Sequence, residues 1–128
     1  MKRFLCAAAL ALAGFATPVL AQGGVSESYC AYLSNADHYN SKGAQLTQPG
    51  QVIRQDRANF HRFNLRDDAD DWDSLFSNAN NRERLEKLMN ARLKSDPMGA
   101  YIVNNDAIVC FDIYGGGSNF DVQLVMGE

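Results

Sequence analysis

A chain of 128 residues makes one domain rather than two, and a domain of that size buries about two-thirds of the surface its unfolded form exposes. Its 12 Lys+Arg against 15 Asp+Glu give a formal net charge of −3. An acidic balance argues against nucleic acid and anionic membrane surfaces as partners, since both reward a basic chain.

The first residues read as a targeting segment. Lys2 and Arg3 form a basic start, Phe4–Phe15 is an apolar run rich in Ala and Leu, and Val19-Leu20-Ala21 is suited to signal-peptidase cleavage before Gln22. The run is about a dozen residues, too short to cross a bilayer core of roughly 30 Å. Residues 1–21 are therefore expected to be a cleaved signal peptide, 22–28 a flexible leader and 29–128 a single compact domain. Cleavage leaves 107 residues; it removes two basic residues and no acid, so 10 Lys+Arg against 15 Asp+Glu give −5. The expected location is the periplasm or the extracellular space, with no membrane anchor after cleavage. Cys6 leaves with the signal peptide. In an oxidising compartment the remaining Cys30 and Cys110 predict one intrachain disulfide.

Tyr29–Leu33 suits a short strand, because its aromatics fit a pleated surface and Cys30 must reach a cysteine on another strand. Asn40-Ser41-Lys42-Gly43 is a turn signal. A helix is predicted over Gln48–Phe63, capped by Thr47 and with Pro49 in its first turn. At about 100° per residue, Val52, Ile53, Asp56, Asn59, Phe60 and Phe63 share one face. Arg54, Arg57, Ala58 and His61 fall opposite, on what reads as the solvated side. Asp56 thus sits in the middle of a core-like face.

Arg66–Asp71 is a charged connector. Trp72, Leu75 and Phe76 could share one face of a short helix over Asp71–Ser77, with Asp70, Asp71 and Asp73 favoured by its dipole. Arg82–Leu93 is a stronger helix with a Leu85, Leu88, Met89, Leu93 stripe. Arg92 falls inside that stripe, so a buried structural pair between Asp56 and Arg92 is the expected partnership. Ser95 or Asp96 followed by Pro97 opens a last short helix to about Val103, with a strand over the Tyr-Ile-Val run as the alternative.

Ala107–Tyr114 and Asn119–Met126 read as a hairpin joined by Gly115–Ser118. A four-residue loop pairs Ile113 with Phe120, Phe111 with Val122 and Val109 with Leu124, and it sets Asp112 opposite Asp121, an unfavourable like-charge pair. The fold class expected is α+β. Three to four helices pack on one face of a small antiparallel sheet built on the hairpin 107–114 and 119–126.

Catalytic signals are sparse. The sequence has no nucleophile-elbow motif and no His pair at zinc-ligand spacing. The acids Asp67, Asp68, Asp70, Asp71 and Asp73 lack the Gly and the Glu that an EF-hand needs at fixed positions. The ligand or metal candidates that remain are Asp37, His38, His61, Asp112 and Asp121, and no cofactor is implied. Arg54, Arg57, Arg62 and Arg66 with Phe60 and Phe63 do not make a nucleic-acid platform, because the wheel puts the phenylalanines on the other side.

A small, stapled chain without a catalytic constellation reads first as a non-catalytic interaction or inhibitor-like module whose partner is another envelope or extracellular protein. An envelope protein binding a small ligand or metal is the second reading. A small hydrolase using His38 or His61 with carboxylates is the third.

Overall fold

The computed structural model describes residues 23–126, so the expected signal peptide lies outside the described residues. Strand β1 (Val25–Leu33) leads through a 3-10 turn (Asn35–His38) to helices α1 (Pro49–His61), α2 (Ala79–Leu93) and α3 (Pro97–Asn104), and the chain closes on strands β2 (Ala107–Gly116) and β3 (Asn119–Met126). The strands form one antiparallel sheet of order β1-β2-β3. The class is α+β, with the hairpin at the C-terminus.

Period-two alternation builds the core. Tyr29, Ala31 and Leu33 of β1, Val109, Phe111 and Ile113 of β2, and Phe120 and Val122 of β3 are buried. They pack against Val52 and Ile53 of α1, Leu85, Met89 and Leu93 of α2, and Ile102 of α3. The intervening residues turn to the other face, where Cys30 and Cys110 are register partners with Cα atoms 4.0 Å apart and joined by a disulfide. The bond closes a separation of 80 residues, for which the chain-entropy treatment gives about 4–5 kcal/mol of stabilisation at most.

Several local expectations change. Val25–Ser28 are not leader; Val25 pairs with Tyr114 and Ser28 with Asp112 inside β1. The hairpin register is shifted by two residues, with Ile113 opposite Val122, Phe111 opposite Leu124 and Val109 opposite Met126. Gly115 and Gly116 extend the strand and leave Gly117-Ser118 as the turn, where Gly117 takes a φ of 60° that a two-residue hairpin requires. Asp112 then faces Gln123, and Asp121 faces Tyr114, so the like-charge opposition disappears.

The predicted helix over Asp71–Ser77 does not form. Residues 62–78 carry neither helix nor strand, and part of this connection runs along the free edge of β1. The Asp71 amide donates to the Cys30 carbonyl at 2.8 Å, and the carboxylates of Asp71 and Asp70 accept from the amides of Cys30 and Tyr32 at 2.9 and 2.8 Å. At the opposite edge, Arg84 donates to the Phe120 carbonyl and Arg92 to that of Val122. Both edges are thereby obstructed for strand addition.

Candidate functional site

The buried face of α1 holds more than an apolar stripe. Arg57, expected on the solvated side, has a side chain with 0% exposure. Its Nε donates to Asp56 Oδ2 at 2.7 Å, and its Nη1 donates to Asp73 Oδ2 and to the Asp71 carbonyl, both at 2.9 Å. The guanidinium lies 4.4 Å from the Tyr29 ring centroid and 4.5 Å from that of Phe60, a cation–π arrangement that strengthens when water is excluded. The cause of the wrong face is geometric. The 70–76 segment covers α1 on a second side, so the helix is buried over a wider arc than one core stripe.

The partnership predicted for Asp56 is also corrected. Asp56 is 2% exposed and pairs with Arg57, its neighbour in sequence. Arg92 reaches outward instead and meets Asp121 at 2.5 Å. Its guanidinium reaches the sheet edge, where it also donates to the Val122 carbonyl.

Asp73 is the second centre. Its Oδ2 accepts from Arg57 and stands 2.8 Å from His61 Nε2. Its Oδ1 accepts from the backbone N–H groups of Leu75 and Phe76 at 3.0 and 2.6 Å. His61 is therefore in the same buried network, with a side chain only 6% exposed.

Two carboxylates share one guanidinium in this interior, and Asp56 is the one whose ionisation is disfavoured. Burial pushes its pKa to about 8, opposed by Arg57 and reinforced by Asp37 and Asp70. Burial also works against the charge on Arg57, yet Asp56, Tyr29 and Asp73 outweigh it and hold that pKa above its ordinary value. The Tyr29 hydroxyl is raised well above its ordinary value, by burial first, with Arg57 opposing.

The remaining candidates are dispersed. Asp37 accepts from Asn59 Nδ2 at 2.8 Å and from the Ser34 amide at 2.9 Å, and burial raises its pKa against those bonds. His38 places Nδ1 2.7 Å from the Ser34 carbonyl and Nε2 2.8 Å from the Ile102 carbonyl. Through these two contacts His38 clamps the 3-10 turn to the end of α3. Asp112 accepts from Ser28 Oγ at 2.6 Å, and Asp121 belongs to Arg92. Among the described residues, no group of three or more His, Cys, Asp or Glu is placed to hold a metal ion.

What the network does is fix the connection between α1 and α2. Asn64, just beyond the end of α1, has a φ of 55°, the left-handed conformation that Asn tolerates better than most residues. The Leu65 amide donates to the Asn59 carbonyl at 2.8 Å, and Asp70 to Asp67 at 3.0 Å. The Asp67 amide donates back to Asp70 Oδ2, and the Ser74 amide to Glu27, both at 2.8 Å. Against this anchored backbone, Phe63 is exposed, Leu65 is 58% exposed and Trp72 is 65% exposed. Phe63, placed on the core-like face of α1, and Trp72, grouped on one face with Leu75 and Phe76, are both exposed, whereas Leu75 and Phe76 do fill the core.

The sequence contained one usable signal for this site. A connection of this length with a single Trp and repeated Asp is too long for a simple helix–helix turn, whose usual length is about 2–8 residues. Comparisons of the chain with known protein families, with curated proteins and with solved structures find no match.

Proposed function

We propose that the protein is an exported, non-catalytic interaction module that presents its 62–76 segment to another envelope or extracellular protein. One observation carries this reading. A segment without helix or strand has its backbone fixed by Arg57, His61, Asp73 and the β1 edge, while Leu65 and Trp72 remain exposed.

Long irregular connections inside compact domains are usually functional or disordered, and this one is extensively hydrogen-bonded. An anchored backbone reduces the ordering cost of association, and exposed Trp is a preferred anchor at protein interfaces. The obstructed sheet edges disfavour recognition by strand addition, which leaves the segment as the surface best suited to a partner. The disulfide fits an oxidising compartment. Among the described residues no helix is long and apolar enough to cross a membrane.

The test compares proteins captured from envelope extract by residues 22–128 and by the Leu65→Ser/Trp72→Ser variant. Ile108→Ser, on the outer face of the sheet, is the control. The reading expects a protein retained by the parent and the control and lost from the double variant, at unchanged melting temperature. Identical captures by all three chains would contradict it.

A further inference from the structure

A groove of about 310 Å³ opens between the Asn40-Ser41 turn, α1 and the start of α2. Arg54, Arg62 and Arg82 all line it, with Gln51, Gln55 and Ser41 supplying neutral hydrogen-bonding groups. Among the described lining residues Glu86 is the one acid, and Arg54 occupies it at 2.6 Å. In an acidic chain, three guanidinium groups on one groove are not part of a general basic surface.

Arg82 is the anomaly. It is 6% exposed, yet among the described residues no carboxylate pairs with it. Its Nη1 donates to the carbonyls of Phe76 at 2.8 Å and Ser77 at 3.2 Å. Those bonds fix the guanidinium plane and, among the described residues, leave Nε and Nη2 without a hydrogen-bond partner. Burial, then the nearby charges of Arg54 and Arg62, lower its pKa. With no carboxylate paired to it, the guanidinium keeps those nitrogens for an incoming oxyanion, and the planar fork of Arg matches carboxylate and phosphate oxygens.

We propose that this groove is an oxyanion site, in which Arg62 and Arg82, assisted by Gln51 and Gln55, take the carboxylate or phosphate of a small ligand. The ligand's charge is the one the groove lacks. The groove shares Arg62 and Phe63 with the 62–76 segment, but neither Leu65 nor Trp72 lines it, so anion binding and partner capture are lost in different variants and each reading can fail without the other.

The test titrates residues 22–128 with inorganic phosphate and with succinate, each at ionic strength matched by sodium chloride, and follows heat of binding and melting temperature. Arg62→Gln is the informative variant because Arg62 is exposed and its loss leaves the core intact; Lys87→Gln, outside the groove, is the control. The proposal expects at least one of the two anions to bind saturably at one site and to raise the melting temperature with concentration. The tighter of the two assigns the ligand class. Arg62→Gln should weaken that binding about tenfold or more, as loss of a charge-assisted hydrogen bond does, while Lys87→Gln leaves it unchanged. Failure of both anions to exceed chloride, or equal affinity in Arg62→Gln, would overturn the site.

Discussion

Arg57 and Asp73, 16 residues apart in sequence, meet at 2.9 Å with neither side chain exposed to solvent. This contact fastens the connection between α1 and α2 onto the first helix. Because Asp73 also accepts from the Leu75 and Phe76 amides, it converts a side-chain ion pair into a fixed backbone path.

Removing either partner leaves the other charge buried without compensation. Arg57→Ala and Asp73→Ala should each lose about 3–5 kcal/mol, and Asp56→Ala should also lose far more than the exposed Asp68→Ala, which should stay within about 0.5 kcal/mol of the parent. Urea unfolding measures all four. Equal midpoints for Asp56→Ala and Asp68→Ala would refute a structural role for the buried node.

Stability should depend on pH through Asp56. Its pKa rises from 3.8 to about 8 on folding, so over that interval the native state holds a proton that the unfolded chain has lost. Its contribution is fully present below the unfolded value and is lost as pH rises through the folded one. Relative to Asp56→Asn, the parent should lose up to about 1.4 kcal/mol per pH unit between those limits. Parallel stability profiles for the two proteins would show that Asp56 takes up no proton on folding.

The two long helices meet at Gly50, whose amide donates to Asn90 Oδ1 at 2.7 Å. A Cβ built there would stand 2.3 Å from the Glu86 carbonyl oxygen. Gly50→Ala should therefore cost about 1–3 kcal/mol, the usual range for overpacking. Gly116, with nothing within 4 Å of its Cβ position, is the tolerant comparison. Thermal unfolding of both alanine variants reads the difference directly.

Much of the architecture was readable from periodicity. The α+β class, the hairpin and the α2 stripe follow from apolar residues at spacings of two and of three to four. The bond between Cys30 and Cys110 follows from cysteine count and the oxidising compartment expected from the sequence, and β2 and β1 place the two directly opposite. The buried node was hidden because a helical wheel assigns Arg57 by charge and angle alone, whereas its burial depends on a segment folding back from a position 16 residues later. The same tertiary override turned Asp71–Ser77 from a short helix into a path along β1, where Asp73 serves the amides of Leu75 and Phe76. Without that helix Trp72 parts from Leu75 and Phe76 and is exposed while they are buried.

Arg84 and Arg92 protect the outer edge of the sheet by occupying the Phe120 and Val122 carbonyls. Replacing both with Ala frees those acceptors for a second chain. Sedimentation of Arg84→Ala/Arg92→Ala should show association that grows with concentration where the parent shows less. Identical sedimentation of the two proteins would mean that the arginines do not guard the edge.

The most direct test of the ordered interaction segment is amide hydrogen exchange under native conditions, read at Leu65, Asp71, Ser74, Leu75 and Phe76. Each of these amides donates to a defined acceptor. In the parent they should exchange orders of magnitude slower than an open loop does, approaching the amides of α1. In Asp73→Asn, protection of Leu75 and Phe76 should fall selectively. Exchange of all five at the rate of an unstructured chain would contradict a prearranged binding surface.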